Sequence, residues 1–395
     1  SLRLNVFVSG QECYLGPIVG VFTAGFKNFP RAPLGRRSFY FAKLLQAAET
    51  AGVLPIVFGS QHIHWEEGLI SGYFYDRKND EWSILTLPMP DVIYDRIPNR
   101  RVEQLEVIQT TKEKLIQEYA IPWFNPGFFQ KWNVYQILSQ DDRIRPYLPE
   151  TVLFREERDL KRMLEKYDHV YVKWVHGSLG KGVCQIKRRK RWNAYFRDEK
   201  GHLHSLSTSR VRDLIRQFFP EFHQQQYMIQ QGIPLIQHEG KPLDFRLHMN
   251  KKQDGTWTVT AMAAKISGMA PTTHLNTEGE LKTVAELFPE AKKRKTIIKQ
   301  LTKTALLVRE TLEKKTRPFL GELGLDIGID RDGHIWLFEA NAKPGRSIFS
   351  HPRLQALERK NHIMLFRYAA TLARLMIEDP ETVMDRLGQK LLAPK

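Results

Sequence analysis

The chain has 395 residues and a formal net charge of +16, with 42% hydrophobic and 26% charged residues. These proportions exclude a disordered chain, and the length calls for more than one hydrophobic core. Two cysteines, Cys13 and Cys184, exclude a disulfide framework and a zinc cluster and favour a reducing, cytoplasmic setting, while no apolar run reaches the length of a membrane span. The positive balance points to anionic partners: nucleotides, an acidic polymer, nucleic acid or an anionic surface. The opening residues have too short an apolar core for a secretory signal and read as a first strand; Ser1 reads as a trimmed or engineered terminus.

Residues 1–125 alternate strand-like and helix-like segments. Ile18 to Thr23 is a short strand, and Ser38 to Ala51 a helix with Phe41, Leu44, Leu45 and Ala48 on one face. Gly52 ends the helix, and Val53 to Phe58 is the next strand. Leu69 to Tyr75 and Trp82 to Leu87 pair as a hairpin around Lys78-Asn-Asp80, and Val92 to Tyr94 is a buried strand. This is a small α/β unit with a parallel sheet, and it lacks the Gly-x-Gly-x-x-Gly turn of a dinucleotide site. Further on, a helix covers Trp132 to Leu138, a strand Thr151 to Phe154 and a helix Glu156 to Lys166. Strands follow at Val170 to Val175, Val183 to Ile186 and Tyr227 to Gln230, with residues 209–219 helical. Leu243 to Met249 and Trp257 to Ala264 flank the Asp254-Gly255 turn. Ile298, Leu301, Ala305, Val308 and Leu312 recur at helical spacing, and Leu354 to Ile377 forms an amphipathic helix.

The segment from Gly324 to Arg346 is the most informative. Leu325 to Ile329 and Ile335 to Phe338 are strand runs about the Asp330-Arg-Asp-Gly333 turn. Folding there brings Asp326 opposite the neighbourhood of Glu339, and Glu339 and Asn341 share one face of their strand. Two carboxylates and an amide oxygen suit Mg²⁺, which takes hard oxygen ligands and shares its shell with water and phosphates. A solvated hairpin with ordinary surface acids is the alternative, set against the expense of an idle carboxylate beside Trp336, Leu337 and Phe338.

Other constellations are weaker alone. Between two strands, His176-Gly177-Ser178-Leu-Gly180-Lys-Gly182 can bring backbone N–H groups to phosphate oxygens, with Lys173 as a point charge; a glycine hairpin beside an exposed lysine gives the same pattern. Asp244 and Arg246 share a strand face, either as a phosphate-holding fork or as a surface ion pair. Lys265 and Asn276 fall in a polar stretch that reads as a loop closing over substrate, or simply as a long surface loop. Lys187 to Arg191, followed by Trp192, and Lys292 to Lys295 read as solvated loops or as polyanion contacts; no nucleic-acid fold signature accompanies them.

In order and spacing, Lys131, Lys173, His176 to Gly182, Gln230 to Ile233, Asp244, Arg246, Asp326, Glu339 and Asn341 resemble the ATP-grasp superfamily. The Glu-x-Asn-x-x-Pro-Gly run from Glu339 to Gly345 is the most specific element, and the resemblance covers about residues 126–350. Through Gln130-Lys-Trp-Asn133 and Phe338 to Gly345, the chain is similar to the YheC/YheD family of spore-coat-associated proteins. The resemblance implies an α/β (α+β) architecture: a pre-ATP-grasp domain over 1–125, a glycine-loop subdomain over 126–205, and a C-terminal subdomain with the metal hairpin over 206–395. It implies ATP and Mg²⁺ as cofactors. Lys131 and Lys173 would contact the α- and β-phosphates, the loop His176 to Gly182 would cover the triphosphate, and the backbone of Gln230, Gln231 and Ile233 would hold adenine. Arg246 and Lys265 would face the γ-phosphate or acyl phosphate, and Asp326, Glu339 and Asn341 would hold the metal. From charge and position, Lys343 and Arg346 would grip an acidic substrate.

Two departures from the superfamily pattern stand out. Gly324 occupies a position where some members carry Arg, and the acidic ribose contact is unassigned between Gln237 and Glu239. The expected activity is a carboxylate–amine ligase working through an acyl phosphate, with an acidic carboxylate substrate and an amine acceptor. The rivals are an ATP-binding spore-coat component without turnover, and a nucleic-acid-binding protein. Cytoplasmic residence with association with the spore coat is the expected localisation.

Overall fold

The computed structural model describes residues 4–9, 11–177, 182–198, 202–220, 222, 226–267, 279–316 and 319–391. The first sheet is built on parallel strands. Ile18–Phe22 lies between Leu54–Phe58 and Val92–Asp95, and the short strand Trp123–Phe124 joins the far side of Val92–Asp95. The hairpin Leu69–Asp76 and Glu81–Pro88 pairs at the other edge. The central strands are buried on both faces, which is why they read as continuous apolar runs. On one face, helix Ser38–Ala51 packs through Phe41, Leu44 and Leu45, and the same core takes Leu365, Phe366, Ala369 and Leu372 of helix Gln355–Glu378. Ile108 and Leu115 of helix Glu106–Gln117 fill the other face. The long C-terminal helix is thus part of the first unit's core as well as a neighbour of the third sheet.

A second sheet is antiparallel throughout, in the order Thr151–Phe154, Tyr227–Gln231, His169–Trp174, Val183–Arg188, Trp192–Arg197, Leu203–Thr208. Helices Glu157–Lys166 and Val211–Phe218 share its core. The basic run at 187–191 lies at the bend between two of these strands, and Arg188 stacks on Trp192, its cross-strand partner. The other run, Lys292 to Lys295, is helical: it opens helix Ala291–Lys315 instead of forming a loop.

The third sheet runs Glu280–Lys282, Trp257–Ile266, Lys241–Lys251, Glu322–Ile329, Ile335–Asn341, again antiparallel. Helix Ala291–Lys315 covers one face through Leu301, Ala305, Val308 and Leu312, and helix Lys131–Ser139 contributes Val134 and Leu138. The opposite face carries polar residues and points toward the first and second units. Among the described residues no helix is long and apolar enough to cross a membrane.

The first and third sheets are joined by a buried polar seam. Asn125 is fully buried with φ of 51°, a left-handed conformation that asparagine tolerates better than most residues. Its Nδ2 donates to the carbonyls of Glu322 (2.8 Å) and Ala342 (2.5 Å), and its Oδ1 accepts from the N–H groups of Gly321 (2.8 Å) and Glu322 (3.1 Å). Beside it, Glu322 is fully buried and accepts from Tyr94, Arg96 (3.3 Å) and Arg346 (3.2 Å). Asp95, also fully buried, takes Lys112 at 2.9 Å and Lys343 at 2.6 Å. Asn125→Ala strands four buried backbone groups and puts alanine at a positive φ; we expect a loss of about 3 kcal/mol. Urea unfolding of Asn125→Ala beside Asn125→Gly checks this, since glycine removes the strain and keeps the bond loss. A change within a few tenths of a kcal/mol in both would show that the seam does not rest on this residue.

Candidate functional site

The polar face of the third sheet is set by strand alternation. Asp244, Arg246, His248 and Asn250 alternate along one strand, and Glu322, Gly324 and Asp326 along its neighbour. The register pairs Arg246 with Asp326 and Asp244 with Lys265, and across the hairpin it pairs Asp326 with Glu339 and Gly324 with Asn341. A bulge after Asp326 keeps both carboxylates at the mouth of the sheet. Lys265 lies on strand Trp257–Ile266, not on the loop expected from sequence, because Ala261-Met-Ala-Ala-Lys-Ile266 continues the ladder to its end. Asn276, Ser178 and Gly180 lie outside the described residues.

Asp326 is the hub. Arg246 grips it through Nε and Nη2, both at 2.8 Å, and Lys265 Nζ stands 2.7 Å from Asp326 and 3.0 Å from Asp244. Burial opposes the charge of Asp326, yet Arg246 and Lys265 together hold its carboxyl far below the usual range. Arg246 and Lys265 are both buried groups whose positive charge is upheld, against desolvation, by these carboxylates. Lys131, at the start of helix Lys131–Ser139, reaches within 3.7 Å of Glu339. Burial likewise opposes ionisation of Glu339, and Lys131, Arg246 and Lys173 outweigh it.

Lys131, Asp244, Lys265, Asp326 and Glu339 line one side of a cleft of about 540 Å³. The opposite side comes from the second sheet and from the segment Gln230, Gln231, Ile233, Pro234. Lys173 Nζ donates to Gln230 Oε1 at 2.6 Å, and Gln230 Nε2 donates to Thr151 at 3.1 Å. Burial, then the neighbouring Lys131, pushes the Lys173 ammonium down to about 8. The segment Ile233 to Ile236 is fixed to the hairpin: Ile236 N–H donates to the Ile329 carbonyl (2.9 Å) and Arg331 N–H to that of Pro234 (3.2 Å). Gly232 is required there, because a Cβ would lie 2.3 Å from the His169 ring. His169 and Tyr171 line the cleft but were not singled out from sequence; strand alternation from Lys173 back to Tyr171 and His169 was the available signal. Gln237 lines the cleft as well, and Glu239 is exposed beside it. The turn at His176 and Gly177 follows strand His169–Trp174, and Gly182, at φ of 66°, leads into the next strand.

Gly324 has a steric explanation: a Cβ would come within 2.5 Å of Pro344, which folds back over the strand. Lys343 and Arg346 lie on the seam. Lys343, with 2% of its side chain exposed, pairs with Asp95 and with Glu103 (3.1 Å), and Arg346 binds Glu322 and Asn361. The acids of Lys343 come from residues far away in sequence, so no local pattern announces them.

The donor set fits Mg²⁺ in its chemistry. Asp326, Glu339 and Asn341 offer oxygens only, and the flanking lysines suit phosphates that would complete the shell. Among the described residues, no group of three or more His, Cys, Asp or Glu side chains is placed to hold a metal by itself.

Comparison with known proteins fits this geometry. Residues 120–372 match the family model described as YheC/D like ATP-grasp. The chain is 40% identical over 383 residues to the endospore coat-associated protein YheD of Bacillus subtilis (strain 168), covering 96% of this chain and 84% of that protein. Among solved structures, D-alanyl-alanine synthetase A from Vibrio cholerae O1 biovar eltor superposes with a TM-score of 0.52 at 12% identity, over 92% of this chain and 98% of that one. The ATP-grasp ligase PsnB, complexed with minimal precursor, gives 0.50 at 13% identity, over 86% and 98%. At those identities the superpositions establish a shared fold.

The position of Lys173 generates a pH test. Only its protonated form attracts phosphate, and its ammonium in the ligand-free protein is held at about 8. Triphosphate affinity should be level below pH 7 and fall as pH rises through 8, by up to about tenfold per pH unit. Calorimetric titration of ATP between pH 6.5 and 9.5 checks this, with Lys173→Gln expected to bind weakly and without the slope. A flat wild-type profile would remove Lys173 from the phosphate site.

Proposed function

This chain belongs to the YheC/D-like ATP-grasp family, and from that premise we propose that it is an ATP-dependent carboxylate–amine ligase. The observation that carries the reading is the paired Asp326 and Glu339, which share a cleft wall with Lys265 and Lys131 opposite Lys173, Gln230, Gln231 and Ile233, with Arg246 gripping Asp326.

In this reading, adenine lies against the backbone of Gln230, Gln231 and Ile233, and the triphosphate runs toward Lys131 and Lys173 under the loop His176 to Gly182. Mg²⁺, held by Asp326, Glu339 and Asn341, would neutralise phosphate charge. A substrate carboxylate oxygen attacks the γ-phosphorus. The bond to the bridging oxygen breaks, ADP departs, and an acyl phosphate remains. An amine nitrogen then attacks the acyl carbon, phosphate leaves with the bonding pair, and the nitrogen loses a proton to give the amide. Arg246 serves this step with Nη1, which stands outside its Nε and Nη2 fork on Asp326. Lys265 adds a fixed cation beside the transferring group. These charges are set before reaction, so little reorganisation is needed as negative charge migrates.

The basic balance of the chain favours an acidic carboxylate substrate, and the name of the relative in Bacillus subtilis favours one made during sporulation or associated with the spore coat. Glu339→Gln should abolish substrate-stimulated ADP release, by at least about 100-fold, with melting unchanged within a few degrees. Coupled-enzyme assay of ADP with acidic peptides and amines measures it. An equal rate in the variant would end the ligase assignment at this site.

A further inference from the structure

We propose that Arg96 and Arg346 beside the Tyr40 ring, with Arg37 next to Arg96 where the first unit meets the third sheet, form a second anion seat that takes a distal carboxylate of an acidic peptide substrate. The proposal rests on the ligase reading above and extends it to substrate length and charge.

Charge is unbalanced at this place. Glu322 is the carboxylate that Arg96 and Arg346 share. Among the described residues Arg37 forms no ion pair; it donates from Nη1 to Thr23 Oγ1 at 3.1 Å and from Nη2 to the Ala24 carbonyl, both at the C-terminal end of strand Ile18–Phe22. Three guanidinium groups thus answer one acid, in a setting where the Arg96 and Arg346 side chains are only 15% and 8% exposed. Surplus buried charge is unfavourable unless an anion joins it. Burial and the adjacent Arg96 both weaken the hold of Arg37 on its proton, the effect expected of neighbouring cations.

Polar atoms in the same place point to a ligand independently. The Tyr40 ring lies 5.4 Å from the Arg96 guanidinium carbon and 5.8 Å from that of Arg346. Its hydroxyl is buried without a hydrogen-bond partner among the described residues, as are Arg346 Nε and Nε2 of His362, whose ring lies 5.8 Å from that of Tyr40. Buried polar groups are nearly always paired, so three such atoms together mark a binding surface for a polar group. Arg346 also lines a polar cleft of about 300 Å³ with Lys43, Ser350 and Gln355; Glu358 is there too, 4.0 Å from Lys43.

Position sets the length of the ligand. Glu322 and Asp326 lie four residues apart on one strand, about 13 Å at the usual rise. A substrate with one carboxylate at Lys265 and Arg246, beside Asp326, and another at the arginines therefore spans about four extended residues. The arginine fork is suited to a carboxylate, and the loops at the C-terminal ends of parallel strands are where α/β sheets bind ligands.

Calorimetry of the full chain with tetraglutamate and with tetraglutamine tests this. Tetraglutamate should bind and tetraglutamine should not. Arg37→Met should weaken tetraglutamate binding by at least about tenfold, and Arg37→Lys should recover part of it, since charge returns without the fork. Melting curves identify any variant that fails to fold, in which case Arg37→Lys carries the comparison. A Mg-ATP titration of each protein reads the other site. Equal tetraglutamate binding by wild type and Arg37→Met overturns the seat, as does a wild type that binds Mg-ATP but no tetraglutamate. Capture of orthophosphate in preference to tetraglutamate overturns the carboxylate assignment. Failure of wild type to bind Mg-ATP would instead overturn the ligase reading.

Discussion

Everything at the cleft depends on the buried contact between Arg246 and Asp326. A carboxylate in that position is tolerable only because a bidentate guanidinium and Lys265 answer it, and the cations are tolerable only because Asp326 and Asp244 are there. The contact demands one register among three strands, since a slip of a single residue would turn each group into the apolar core beneath. Counting Lys131, Lys173 and Glu339, four cations face three carboxylates, a surplus that suits a polyphosphate carrying its own metal.

The hairpin that carries this contact is held at both ends. Its turn is bonded to the segment at Pro234 and Ile236, so the two walls of the cleft are tied together. Its other end is locked to the first unit through Asn125, Glu322 and Lys343. One pair of strands thus bears the candidate metal ligands and fixes their distance from any group that binds at the seam.

The sequence disclosed what is local. Alternation on the strands put Asp244 with Arg246 and Glu339 with Asn341, and the Asp330 to Gly333 turn placed Asp326 opposite Glu339. The parallel order of the first sheet and the helix at Ser38 were legible for the same reason. What escaped was contact between distant segments. Lys343 carried a charge with no sign of Asp95, nearly 250 residues away, and Arg37 and Arg96 showed nothing that related them to Arg346. Lys265 was misread as loop because the glycines and threonines after it dominated the local pattern. The steric reason for Gly324 could be seen only once Pro344 lay over it.

This charge web suits a nucleotide that arrives with its metal. Calorimetric titration of the full chain with ATP, with Mg²⁺ and with Mg²⁺ removed by chelation, tests it most directly. Tight binding with Mg²⁺ and a weakening of at least about tenfold without it are expected. Binding that is indifferent to the metal would contradict the role of Asp326 and Glu339, and absence of binding under both conditions would contradict the nucleotide site itself.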